Sequence, residues 1–245
     1  MDRILEFFIK NFPSLKTLVI AGPPALCWSY SCLLFAGYLK TRKGIRTGYS
    51  RKVFHFLIFF SAALTHAVWG SRGVCLFGAM TTCVIFYAVA RGRGNILYEA
   101  MAREKDEPHR TYYIVLPYFA TLVGGLASNI LFGPSAVVGY LVAGCGDAVG
   151  EPIGTRFGRH TYRVPSLRSV RAVRSYEGSL AVLVVSTAAV AVGVALLPGL
   201  EFTRRALIVI PAIGLASMLV EAISPHGLDN ATMQAVPALL VHCFW

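Results

Sequence analysis

Long uncharged apolar runs alternate with short charged connections along this chain. Such runs cover 18–39, 53–70, 73–90, 112–132 and 180–197, each close to the roughly 20 residues a helix needs to cross a bilayer's hydrocarbon. Three shorter runs follow: 135–153, interrupted by Asp147 and Glu151; 206–223, ending near Glu221; and 231–245, which contains Pro237. Together they predict an all-α polytopic membrane bundle of seven or eight transmembrane helices, with kinks at Pro23-Pro24 and Pro117. Residues 1–17 are different, because Ile4, Leu5, Phe7, Phe8 and Phe12 mix with Arg3, Lys10 and Lys16; this suits a short interfacial stub. No internal repeat or low-complexity linker divides the remainder, so 18–245 reads as a single membrane domain.

Composition agrees with a membrane chain. Only 14% of the 245 residues are charged, where a soluble domain averages about 25%, and the mean hydropathy is +0.60. The excess of 23 Lys+Arg over 12 Asp+Glu points to membrane orientation, anionic headgroups and anionic substrates, and not to nucleic acid. With eight crossings, 17 of the 23 basic residues fall on one face and 6 on the other. The rich face is then cytoplasmic, or stromal if the membrane is a plastid's, and both termini lie on the other side. The six cysteines contain no CxxC pair, so neither a zinc site nor a disulfide framework is indicated. The N-terminus, with Asp2 and Glu6, does not read as a cleavable signal.

The acidic residues are distributed unevenly. Seven sit at the N-terminus, around 99–107, or at Glu201, where solvation or an interfacial role explains them. The other five, Asp147, Glu151, Glu177, Glu221 and Asp229, fall at span ends on the basic face, where ionisable groups are costly and usually functional. Around them, segment 144–179 spaces glycines at 146, 150, 154 and 158, carries six arginines and closes on Tyr176-Glu177-Gly178. It reads as a loop for a polyanion: glycines admit backbone N–H groups to phosphate, arginines neutralise it, and carboxylates hold a divalent cation. A basic loop beside a bilayer is the alternative reading of the same composition. There is no GxxxxGK[ST], complete GxGxxG or HExxH.

Asp147-Ala148 followed by Ile153-Gly154-x-x-Phe157-Gly158, then Arg174-Ser175-Tyr176-Glu177-Gly178, resembles the CTP-binding segment of the polyprenol kinase family. That family includes dolichol kinases, phytol kinases and CTP-dependent diacylglycerol kinases. Arg51-Lys52-x-x-His55, Met101-Ala102-Arg103-Glu104 and the Glu221…Asp229-Asn230 segment resemble further pieces of the family in the same order, so the resemblance covers about 45–245. Two departures stand out: Arg174 replaces the usual Lys, and Val173 stands where many relatives carry a second Lys.

The resemblance implies a membrane kinase that transfers the terminal phosphate of CTP to a lipid alcohol of phytol or polyprenol type, with Mg²⁺. Asp147, Glu177 and Asp229 would hold the metal, with Asp147 or Asp229 as the base. Arg51, Lys52, His55, Gly150, Gly154, Gly158, Arg174, Ser175, Gly178 and Asn230 would contact the nucleotide, and Glu151 and Glu221 are weaker candidates. The run 96–103, with Asn95 and Arg103, would lie along the headgroups and guide the lipid in. His66, His109, His160, His226 and His242 read as structural. Membrane lipids are the other implied partners, and the sequence does not give an oligomeric state. A phosphatidate cytidylyltransferase, whose CTP loop is similar, is the nearest rival, although its Lys-Asp pair is missing here. A non-enzymatic transporter or scaffold is the third reading.

Overall fold

A computed structural model describes residues 2–166, 172–199 and 202–245; Arg168, Arg171 and Glu201 lie outside these described residues. The protein is an all-α membrane protein: among the described residues, five stretches are helical, long and apolar enough to cross a bilayer. It divides into two compact units, Met1–Ile114 and Val115–Trp245.

In the first unit, α1 (Asp2–Asn11) leads into α2 (Leu15–Thr41), which starts where the Ser14 hydroxyl accepts the Thr17 N–H at 3.1 Å. The 45-residue α3 (Thr47–Arg91) is interrupted at Gly70, where φ is +64°. That left-handed conformation favours glycine, and it separates the apolar runs 53–70 and 73–90. Lipid offers no hydrophobic force to bring helices together, so small residues and interhelical hydrogen bonds do this work. Cys32, Ala36 and Gly37 of α2 are buried accordingly, and the Ser29 and Thr81 hydroxyls meet at 2.9 Å between α2 and α3.

α4 (Ile96–Met101) does not lie along the headgroups as its pattern suggests. Leu97, Tyr98, Ala100 and Met101 are buried, and a methyl group on Gly37 would strike the Ile96 carbonyl. The charges of this region satisfy one another internally. Lys40 donates to Glu99 at 3.2 Å and lies 2.8 Å from Glu104, while Arg110 reaches Glu99 at 2.6 Å. Arg103 grips Asp106 through two hydrogen bonds of 2.8 and 3.1 Å, both side chains nearly inaccessible. Amphipathic spacing alone did not distinguish a headgroup-facing helix from one sealed by buried ion pairs.

The second unit begins within α5 (Tyr112–Phe132) and continues with α6 (Ala136–Leu141), a wide π-type turn at Val142–Gly146 and α7 (Asp147–Phe157). A two-stranded antiparallel hairpin follows, β1 (Thr161–Val164) and β2 (Ala172–Ser175), and then α8 (Tyr176–Leu196), α9 (Ala206–Ile223) and α10 (Asp229–Phe244). The last helix continues through Pro237 for 16 residues. That is about 24 Å at 1.5 Å per residue, short of a hydrocarbon core about 30 Å thick. Its polar side is sealed inside the unit: Asn230 donates to the Pro117 carbonyl at 3.1 Å and to the Thr121 hydroxyl at 2.9 Å, and the Gln234 amide donates to the Thr121 carbonyl at 3.2 Å.

Candidate active site

The segment expected to be a glycine-spaced loop is mostly helix and hairpin. Residues 147–157 form α7, which runs through Pro152. Proline inside an apolar helix is tolerated when neighbouring groups satisfy the freed backbone. Glycines spaced by four therefore line one helix face, and that face packs against α8 at backbone distance. A Cβ on Gly150 would lie 3.0 Å from Val182, one on Gly154 would lie 2.7 Å from the Ser175 hydroxyl, and one on Gly178 would lie 2.7 Å from the Gly150 carbonyl. At Gly158 the N–H is bonded to the Gly154 carbonyl at 3.1 Å, and a Cβ would lie 2.8 Å from Ser175. The four glycines bring two helices together, in the manner of small-residue motifs in membranes.

This close packing gathers polar side chains around the ends of α7, α8, α9 and α10. Arg174 is the hub. Its Nε donates to Glu221 Oε1 and its Nη2 to Asp229 Oδ2, each at 2.8 Å, with all three side chains under 15% exposed. Nη1 lies 3.4 Å from the Ser224 carbonyl. Only a planar guanidinium presents two such parallel donors along one edge. The Gly150 Cβ position is 3.9 Å from Glu221 Oε1, which brings α7 to the same cluster. Asp147, just after the π-type turn, is 5% exposed, and such turns often mark functional positions. Glu151 lies one helical turn further along α7 and is half-buried.

The hairpin brings Tyr162 and His160 to this region. In its register Tyr162 faces Arg174 and Arg163 faces Val173, so each pair shares one side of the ladder. The Tyr162 hydroxyl lies 2.7 Å from Ser179 Oγ. Burial pushes the Tyr162 phenol up, with the Ser179 contact working against it, so the hydroxyl keeps its proton. Glu177 Oε1 accepts the His160 N–H at 3.3 Å and contacts His160 Nδ1 at 3.0 Å, while Glu177 Oε2 is buried with no hydrogen-bond partner. Ser175 caps α8 by accepting the Gly178 N–H at 3.1 Å. The His226 N–H donates to the Pro165 carbonyl at 2.9 Å.

The structure thus brings together Arg174, Glu221 and Asp229, and packs Gly150, Gly154, Gly158, Ser175 and Gly178 beside them. It does not gather Asp147, Glu177 and Asp229 into one group. Among the described residues, no three His, Cys, Asp or Glu side chains are arranged to hold a metal ion. The Asp229 carboxylate is turned to Arg174 and that of Glu177 to His160. Asn230 is spent on bridging α10 to α5. Arg51, Lys52 and His55 occupy the first turns of α3 in the other unit. There Lys52 is buried, and the His55 ring lies 4.4 Å from that of Phe59.

No protein-family model and no solved structure matches the chain. Among characterised proteins, a phytol kinase from Synechocystis sp. is 34% identical over 119 residues, which is 49% of this chain and 48% of that protein. The chain is similar to a phytol kinase. It spans about half the length of the curated relative it matches. The match supports a polyprenol- or phytol-kinase-like family without singling out a member.

Proposed function

We propose that this protein is an integral-membrane kinase that moves the terminal phosphate of CTP onto the hydroxyl of a lipid alcohol of phytol or polyprenol type. The observation that carries the reading is the 34% identity to a phytol kinase. The site chemistry is compatible with it. Phosphoryl transfer asks a protein mainly for positioning and charge compensation, and the second unit concentrates carboxylates, Arg174 and hydroxyl donors at the ends of apolar helices.

Mg²⁺ usually binds through one or two carboxylates plus substrate phosphates, so a three-carboxylate cage is not needed. The unpartnered, buried Oε2 of Glu177 fits a cation arriving with the nucleotide. Such a metal would neutralise charge on the phosphates. Asp147 is the proposed base: the lipid oxygen bonds to the terminal phosphorus, the bond to the CDP oxygen breaks, and the hydroxyl proton passes to Asp147. Arg174 holds the Glu221 and Asp229 carboxylates in place and is the proposed phosphate contact. The acceptor's chain lies among the apolar helices, with its hydroxyl at the cytoplasmic face, or the stromal face in a plastid.

The test is purified protein with labelled CTP, offered phytol or phosphatidate. Release of CDP with phosphorylated phytol is the expected result. Pyrophosphate with CDP-diacylglycerol would replace the kinase by a cytidylyltransferase, and turnover of neither would leave the transporter or scaffold reading.

A further inference from the structure

We infer that α1 is an in-plane membrane anchor, with its apolar face sunk into the bilayer surface and its charged face in water. Ile4, Leu5, Phe8, Ile9 and Phe12 recur along one helical face, and they are 54%, 61%, 45%, 72% and 76% exposed. Arg3, Glu6 and Lys10 fall on the opposite side. Five adjacent large apolar side chains left open form a patch that a water-facing surface rarely carries.

Its surroundings identify the occupant as lipid. Residues 12–14 are the whole connection to α2, and three residues span at most about 10 Å. α1 is therefore tethered to the first turn of a 27-residue apolar helix that itself crosses the bilayer. At the same end of this unit, Arg72 Nε donates to the Lys10 carbonyl at 2.7 Å, which ties the C-terminus of α1 to the break in α3. Trp69, 70% exposed, lies beside that break. Exposed tryptophan with Lys10, Lys16 and Arg72 forms the aromatic and basic belt that marks a membrane–water interface. A helix held at that height, with this division of faces, sits in the headgroup and upper acyl region.

The experiment uses the full chain in phosphatidylcholine vesicles containing phosphatidylglycerol, with single cysteines introduced as Glu6→Cys on the polar face and Ile9→Cys on the apolar face. A water-soluble maleimide is applied and labelling is read peptide by peptide, so the native cysteines do not interfere. Burial of the apolar face by about 5–10 Å should make Ile9→Cys react tenfold or more slowly than Glu6→Cys. Equal labelling of the two positions would overturn the proposal. Protection of Ile9→Cys accompanied by crosslinks between α1 helices of separate copies would overturn it too, in favour of a protein–protein interface.

Discussion

Replacing Arg174 is the perturbation with the clearest calculated consequence. Its guanidinium bonds Glu221 and Asp229 simultaneously at 2.8 Å, with side chains only 13%, 8% and 14% exposed. Arg174→Ala would remove the cation that the two carboxylates share, and breaking a buried pair costs about 3–5 kcal/mol. Arg174→Lys keeps the charge, but a point ammonium cannot present two parallel donors. Losing one charge-assisted hydrogen bond costs about 1.5–3 kcal/mol. Arg174→Lys should therefore fall between wild type and Arg174→Ala in thermal unfolding of the detergent-solubilised protein. A double-mutant cycle with Asp229→Asn should give a coupling of about 0.5–3 kcal/mol. Wild-type stability in Arg174→Lys together with zero coupling would refute the clamp and leave Arg174 as a plain phosphate contact.

Three further tests address the packing and the ion pairs. Gly178→Ala places a Cβ 2.7 Å from the Gly150 carbonyl and should cost about 1–3 kcal/mol. Gly78→Ala, which meets nothing within 4 Å, should be neutral or stabilise by about 0.5–1 kcal/mol; matched melting curves separate the two. Arg103→Leu alone should lose about 3–5 kcal/mol by stranding the buried Asp106 carboxylate, and adding Asp106→Leu should recover most of that, as read by thermal unfolding. For Glu104, burial raises its pKa, but hydrogen bonds from Lys40, its own backbone and Thr47 outweigh that and bring it down to about 2. A depressed carboxylate pKa stabilises above the unfolded value, 4.5, and its contribution is lost as pH falls toward 2. The melting-temperature gap between wild type and Glu104→Gln should hold from pH 7 to 5 and shrink between 4.5 and 2; a constant gap would contradict this.

The membrane fold was legible because crossing a bilayer demands long apolar runs, and runs such as 112–132 and 180–197 appear as α5 and α8 with boundaries moved by only a few residues. Segment 144–179 was harder to read. Its glycines suggested loop flexibility, yet their spacing of four is also a helix-face period, and Gly150 and Gly154 use it for contact with α8. The hairpin was hidden because each strand has only four residues. Without its register, nothing along the chain set Tyr162 opposite Arg174 or His160 beside Glu177. Glu221, a weak candidate from sequence, turned out to share Arg174 with Asp229, because the end of α9 and the start of α10 are joined by a short connection that folds them together. Run 96–103 misled for a related reason. Its hydrophobic positions show that one side is buried, and only the partners, Lys40, Glu99 and Arg110 among them, show that protein covers it.

Transfer of label from terminally labelled CTP to phytol by wild type, Asp147→Asn and Glu177→Gln, each checked for normal membrane insertion and purification, tests the kinase site most directly. Labelled phytyl phosphate from wild type, and none from either variant, is the expected result, with CTP preferred over ATP as donor. Undiminished transfer by both variants would contradict it.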